Sequence, residues 1–162
     1  MDRVEVPRGP GVTDQVGAGD PVHLLGQFGT GDEVGRTKIA EFAAAVGATD
    51  PAHTDADAAR ALGHPDVVAP PTFAIVVTLG AADVVIADPD VALDYSRVVH
   101  GEQRFTHHRP IRAGDRLVST TTIEAVRSVA GNDLLTTRVD VATEEGEAVC
   151  TATSMLVARG TA

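Results

Sequence analysis

The hydrophobic period of this chain changes abruptly near its middle, and that change limits the folds open to it more than any other feature. Residues 71–86 are apolar nearly all round, with Phe73, Ile75, Val76, Val77, Leu79, Val84, Val85 and Ile86, and Pro71 stands at the start, where a missing N–H costs a helix nothing. A helix with so little polar surface predicts burial on most sides over 71–86. From residue 97 the pattern is that of strands: 97–106, 116–126, 133–143 and 148–158 are rich in Val and Thr. They are separated by Arg109-Pro110 with Gly114-Asp115, by Gly131-Asn132 and by Gly146, so the last three read as a hairpin meander. Within 117–126, Leu117, Ser119, Thr121, Ile123 and Ala125 alternate with residues only moderately less apolar.

The first half is helical after a short opening strand. Val22, Leu24, Leu25 and Phe28 predict that strand, ended by the turn Gly29-Thr30-Gly31-Asp32. From Thr37, the residues Ile39, Phe42, Ala43 and Val46 fall on one face of a short helix stopped by Gly47. Thr54 or Asp55 caps a second short helix through Ala58, Ala61 and Leu62, closed by Gly63. One long buried helix with about five antiparallel strands is an α+β layer architecture, the sheet wrapping the helix. Residues 21–160 are expected to form this single domain, behind a mobile leader over 1–20. Such a sheet leaves an edge that must be protected, and dimerisation is the natural protection.

Composition excludes several functions. With 43% apolar and 22% charged side chains in 162 residues, the chain fits one soluble domain. Aromatics make up only 3%, which leaves nothing for rows of base-stacking rings. The formal charge of −10, from 23 acidic against 13 basic side chains, repels phosphate backbones and anionic membranes alike, so neither nucleic acid nor a membrane is an expected partner. No run approaches the ~20 apolar residues of a membrane span, and residues 1–20 lack the apolar core of a signal peptide. A single cysteine, Cys150, can form neither an intramolecular disulfide nor a thiolate cluster, which predicts a cytoplasmic protein with a buried, inert thiol.

No cofactor and no metal is expected. There is no P-loop, no G-x-S-x-G elbow and no G-x-G-x-x-G, since Gly29-Thr30-Gly31 lacks the third glycine. His107-His108 lies on a strand, where neighbours point to opposite faces and cannot chelate one ion, and at least one of them is expected in solvent. The remaining candidates are Asp50, His53 and Asp55, a carboxylate and imidazole group on the loop between two helices, suited to general acid–base work. The same residues are ordinary turn and cap residues, and spacing alone leaves both readings open.

Three stretches carry a family resemblance: Phe42-Ala43-Ala44-Ala45-Val46-Gly47-Ala48-Thr49-Asp50-Pro51-Ala52-His53-Thr54-Asp55, Ala69-Pro70-Pro71-Thr72-Phe73, and the run Gln103-Arg104-Phe105-Thr106-His107-His108-Arg109-Pro110-Ile111-Arg112-Ala113-Gly114-Asp115-Arg116-Leu117. Over roughly residues 33–158 the chain resembles the MaoC-like dehydratases, in particular the actinobacterial N-terminal-domain type that includes the HadA-like subunit of 3-hydroxyacyl thioester dehydratase. The resemblance implies a hot-dog fold and (R)-specific dehydration or hydration of acyl-CoA or acyl-carrier-protein thioesters. It also implies catalytic roles for His53 and Asp50, and substrate contacts from Thr72 and Gln103.

Two departures from the family pattern fall within that site. Active members carry a Gly-Asp-x-Asn-Pro-x-His loop; here Gly47, Pro51 and His53 match, but Ala48 holds the Asp position and Asp50 the Asn position. Asp50 either substitutes for the missing acid or keeps the turn that the family's Asn makes. The family's glycine at the start of the central helix, whose N–H serves the thioester oxygen, corresponds to Pro71, which has no N–H. Losing such a donor costs about 2.7–4 kcal/mol of transition-state stabilisation, and Thr72, through its N–H and hydroxyl, is the next residue able to replace it.

The resemblance therefore implies a substrate-shaping subunit, active as a heterodimer with a MaoC-type partner that supplies a complete Asp/His pair. Alternatives are a self-sufficient homodimeric hydratase using His53 with Asp50, and a non-enzymatic acyl-thioester binding module, since a fold alone does not fix function. The Asp/His loop and the Arg-Pro-Ile-x-Ala-Gly-Asp turn point away from a thioesterase. Docking of an anionic carrier would fall to Arg104, Arg109 and Arg112, the densest basic group, or to the partner's surface.

Overall fold

The computed structural model describes residues 22–26, 33–86 and 97–159. The expected leader over 1–20, the expected strand end at Phe28 and the turn over 29–32 lie outside the described residues, as do the side chains of 22–26 and 81–86. Strand β1 (Val22–Gly26) is followed by helices α1 (Arg36–Ala45), α2 (Ala56–Ala61) and α3 (Ala74–Ile86) and by strands β2 (Val98–His107), β3 (Leu117–Val129), β4 (Asn132–Thr143) and β5 (Ala148–Arg159). Single 3₁₀ turns at Pro51–His53 and Pro71–Phe73 precede α2 and α3. The strands form one antiparallel sheet in the order β1-β3-β4-β5-β2, with α3 packed on it. This is the α+β layer arrangement expected from the change of period, and it agrees with the hot-dog fold that the resemblance implies.

The core lies between α3 and the sheet. Phe73 and Val77 from the central helix region meet Leu117, Val139, Val141 and Val149 from three strands. Ile39 of α1 closes one side, and Phe42 sets its ring edge-on to Phe73 at 5.3 Å between centroids. Val46, expected on that buried face, is instead the C-terminal cap of α1 and 51% exposed, because the helix ends one residue earlier and Gly47 turns the chain at φ +69°.

The central helix departs from expectation in two ways. It starts at Ala74 rather than Pro71, because Pro70 is extended and the Pro71–Phe73 turn is closed by a bond from Phe73 N–H to Pro70 O at 2.8 Å. Two successive prolines remove two donors and hold the first of them out of the helical region. Its burial is also one-sided: Phe73, Ala74, Val77 and Thr78 are buried, while Leu79 is 49% exposed and Gly80 is open. Over residues 73–80, whose side chains are described, the exposed apolar surface is that of Leu79.

Register in the sheet follows from tight turns. Val129 pairs with Asn132, so the β3–β4 turn consists of Ala130 and Gly131 rather than Gly131-Asn132, with φ of +50° and +77°. Positive φ at both central positions is the primed turn that matches strand twist. Ala130 carries a Cβ into the left-handed region, at a cost of about 1–2 kcal/mol. Ala130→Asn, the residue favoured there, is expected to raise stability by about 0.5–1 kcal/mol in a urea melt with an unchanged m-value.

The Arg109–Asp115 turn is a buried clasp. Arg109 forks onto Asp115 (Nη1 to Oδ2 2.8 Å, Nη2 to Oδ1 3.0 Å), and Asp115 Oδ2 also accepts from Arg112 N–H at 2.9 Å. Glu147 Oε2 lies 3.0 Å from Arg109 Nε as an ion pair, off the line of the N–H. Burial alone would lower the Arg109 pKa, but the Asp115 and Glu147 carboxylates outweigh it and the net shift is upward. The clasp ties the end of β2 to the start of β3 and frames the connection that carries Ile111 and Ala113.

Candidate functional site

Two loops meet at that connection. Residues 67–69 run antiparallel to 111–113, with Ala69 N–H donating to Ile111 O (2.8 Å) and Ala113 N–H to Val67 O (3.0 Å). On their other side Val68 N–H donates to Ala52 O at 3.0 Å, which draws the Pro51–His53 turn against the segment leading into α3. Arg36 of α1 forks onto Asp66 (2.9 and 2.6 Å), and this hydrogen-bonded guanidinium holds the Asp66 carboxyl below the usual range.

His53 is half-buried, and its Nδ1 lies 2.7 Å from Val68 O. A carbonyl can only accept, so Nδ1 carries the proton and Nε2 holds a lone pair when the ring is neutral. Fixing one ring nitrogen on a backbone carbonyl sets the tautomer a general base requires. Asp50 has a structural task already: its Oδ1 accepts from Ala52 N–H at 2.9 Å and caps the 3₁₀ turn. Among the described residues no hydrogen bond joins the Asp50 carboxylate to the His53 ring. Asp55 caps α2 through Asp57 N–H (2.8 Å) and Ala58 N–H (3.3 Å). Ala48, half-buried behind Gly47, is anchored by its N–H to Ala43 O at 2.8 Å.

Thr72 is exposed in the turn that opens α3, where the first N–H groups have no partner within the helix. Gln103 is half-buried on β2, opposite Ser154, and shares its strand face with Phe105 and His107. His107 is the residue that sequence reasoning set aside. Its Nε2 lies 3.0 Å from Pro71 O, so the end of β2 touches the start of the central helix. The available signal was the alternation Gln103, Phe105, His107; what pairing of neighbouring histidines could not reveal was the loop it meets. His108 turns the other way, with Nε2 3.4 Å from Thr151 Oγ1, and both histidines are exposed.

The arginines expected to serve an anionic carrier are engaged within the chain. Arg104 pairs with Glu102 at 2.9 Å, Arg109 with Asp115 and Glu147, and Arg112 with Asp115 at 3.5 Å. The open groove at this clasp mixes Asp66, Asp115, Glu145 and Glu147 with Arg109, Arg112 and Arg116, so it has no net cationic character. Among the described residues no cluster of three His, Cys, Asp or Glu could hold a metal ion, and no helix is long and apolar enough to cross a membrane.

Cys150 is 1% exposed on β5, and burial, with a smaller contribution from Asp140, pushes its thiol up to about 11. A raised folded-state pKa means its contribution to stability is intact below the unfolded value of 9.0 and is lost as pH rises from there through about 11. Ellman's reagent at pH 8 is expected to label Cys150 only at the rate of unfolding, and labelling within seconds of mixing would contradict its burial.

A loop-held imidazole, a central helix with an exposed start and a wrapping antiparallel sheet together make a hot-dog unit, and its likeness to known proteins places that unit among the dehydratases. A family model described as the FAS1-like dehydratase domain region matches residues 26–152, and the chain belongs to that family. It is 63% identical over 127 residues to a UPF0336 protein of Streptomyces coelicolor, covering 78% of this chain and 85% of the relative. Among solved structures it is similar to the C-terminally truncated HadBC (3R-hydroxyacyl-ACP dehydratase) complex of Mycobacterium tuberculosis, with a TM-score of 0.70 and 33% identity over 86% of this chain and 98% of that one. A structure described as a MaoC-like dehydratase gives a TM-score of 0.76 and 33% identity, over 86% of this chain but 42% of that chain.

Proposed function

We propose that this chain is a subunit of an (R)-specific 3-hydroxyacyl thioester dehydratase, or enoyl thioester hydratase, that binds and shapes an acyl-CoA or acyl-carrier-protein substrate in the cytoplasm. It reaches full activity with a MaoC-type partner subunit. The observation that carries this reading is the division of roles on the Pro51–His53 turn: His53 keeps Nε2 available, whereas the Asp50 carboxylate is committed to the turn and Ala48 has none to offer.

Hydration adds water across the Cα–Cβ double bond, with hydroxide character developing at Cβ and the proton going to Cα. A neutral His53 can take the water proton at Nε2, and Thr72 N–H, at the start of α3, can receive the negative charge that gathers on the thioester oxygen. Gln103 lines the β2 side of the substrate path. The acid that should share the work with His53 is the missing component, and a partner with a complete Asp/His loop would provide it. Asp50, through the oxygen not used in capping, is the only carboxylate on this turn that could do so within a homodimer.

The need for a second hot-dog unit is supported by Leu79 of α3, 49% exposed, and by β2, an edge strand with Val99 39% exposed. It agrees with a related structure that is a two-component complex and with another whose chain is more than twice the matched length. The test is hydration of crotonyl-CoA by the purified chain, alone and co-expressed with a MaoC-type subunit. Activity at least about a hundredfold higher for the complex supports the reading, that being the low end of what a positioned acid–base group supplies. Ordinary enzyme rates from the chain alone, abolished by His53→Ala, would replace it with the self-sufficient homodimer. Binding without turnover in either form would identify a thioester-binding module.

A further inference from the structure

We propose that His107 is a positioning residue that aims the Thr72 N–H at the thioester oxygen by gripping the other end of the same peptide unit; this rests on the reading that an acyl thioester binds at the start of α3. Between Ala69 and Phe73 the backbone has few donors. Pro70 and Pro71 have none, Ala69 N–H is used on Ile111 O (2.8 Å) and Phe73 N–H on Pro70 O (2.8 Å). Thr72 N–H is the donor that remains, and with that N–H left for a ligand the Pro71–Thr72 peptide that bears it can be held only at its Pro71 oxygen.

It is held through its oxygen. His107 Nε2 lies 3.0 Å from Pro71 O, and because a carbonyl only accepts, Nε2 is the protonated nitrogen. Pro71 C=O and Thr72 N–H belong to one planar unit, and no cis peptide occurs among the described residues, so the two groups point in opposite directions. Fixing the oxygen therefore fixes the direction of the N–H. A hydrogen bond at the oxygen also polarises the amide and strengthens its N–H as a donor.

The grip has a firm base. His107 pairs with Cys150 in the β2–β5 ladder, and the next two residues donate from their backbone N–H groups to Val149 O at 2.9 and 3.3 Å. Immediately beyond lies the Arg109–Asp115 clasp, and the His107 ring rests 6.3 Å from Phe105 on the same strand face. His53 acts in parallel from another element, bonding Val68 O three residues before Pro71. The entry to α3 is thus suspended by two imidazoles on carbonyl oxygens, in the stretch where proline has removed the usual means of anchoring it.

The experiment uses the full chain with its co-expressed MaoC-type partner and crotonyl-CoA as probe. It follows the Thr72 amide by ¹H–¹⁵N NMR alongside hydration kinetics for wild type, His107→Ala and His107→Gln. Crotonyl-CoA is expected to move the Thr72 amide proton downfield in wild type and by less than about half as much in His107→Ala. His107→Ala is also expected to lower kcat about tenfold with KM changed less than about twofold, since the affected interaction strengthens in the transition state. His107→Gln, whose amide can donate to Pro71 O, should restore most of kcat.

Unchanged kcat in His107→Ala, or a Gln variant as slow as Ala at the same Tm, would overturn the proposal. A Thr72 amide that ignores crotonyl-CoA overturns it whatever the activity. A His107-dependent Thr72 response without turnover upholds the positioning role and instead removes the hydratase reading.

Discussion

Ala48→Asp is expected to raise hydration of crotonyl-CoA by the chain alone at least tenfold, toward the 10²–10⁴-fold that a positioned acid–base group contributes. Position 48 is prepared for such a group. Gly47, at φ +69°, reverses the chain at the end of α1, and the bond from Ala48 N–H to Ala43 O holds the following backbone in place. The site is half-buried and precedes His53 on the same short loop, so a carboxylate there would enter a fixed environment. The wild-type carboxylate on this loop, Asp50, already accepts from Ala52 N–H and is less free to move to the ring. The measurement is kcat for Ala48→Asp and for Ala48→Asp with His53→Ala. A gain that disappears in the double variant identifies a working pair. No gain at all would mean that neither Asp50 nor His53 serves as half of an enzyme pair, and would favour the binding module.

Asp115→Ala is expected to destabilise the fold by about 3–5 kcal/mol, because it leaves the Arg109 guanidinium buried without its fork partner. For a chain of this size that corresponds to a Tm lower by roughly 6–20 °C, at about 2–4 °C per kcal/mol. The side chains of Arg109 and Asp115 are 13% and 4% exposed, so solvent does little to screen the pair. The loss is also structural, since Asp115 Oδ2 fixes Arg112 N–H and the clasp holds the connection from β2 to β3. Adding Arg109→Met to Asp115→Ala should recover part of the loss by removing the stranded charge. A Tm within 2 °C of wild type for Asp115→Ala, by calorimetry, would show that Arg109 finds an equivalent partner in Glu147.

The fold was largely legible in the sequence because periodicity reports directly on burial. The alternation in β3, the Val- and Thr-rich run of β4 and the stop at Gly47 needed only local geometry. Where the reading missed, a non-local or subtle backbone effect decided. The primed β3–β4 turn sits one residue earlier than the Gly-Asn pair suggested, because pairing of Val129 with Asn132 forces Ala130 into a region alanine disfavours. The start of α3 moved because an extended Pro70 postponed the helix.

The site was less legible. Spacing offered Asp50 and His53 and the family resemblance added Thr72 and Gln103, but residue order says nothing about which nitrogen of His53 is occupied or which carboxylate is engaged. Of the basic group, Arg104 pairs with Glu102 two residues before it on β2, whereas Arg109 and Arg112 looked available because their partners lie in a turn whose closure is tertiary or, for Glu147, far along the chain. His107 looked uninformative beside His108, since adjacent residues on a strand cannot share a ligand.

By itself, then, the sequence determined the layers of this protein, its helix against an antiparallel sheet, and the chemical types gathered on one loop, because hydrophobic period and turn residues act over a few positions. Only the tertiary structure decided that His53 presents Nε2, that Asp50 is a cap and that His107, far along the chain, closes on Pro71. Those outcomes depend on hydrogen bonds to backbone groups, carbonyls for the two imidazoles and an N–H for Asp50, and nearly every residue type carries the same backbone groups.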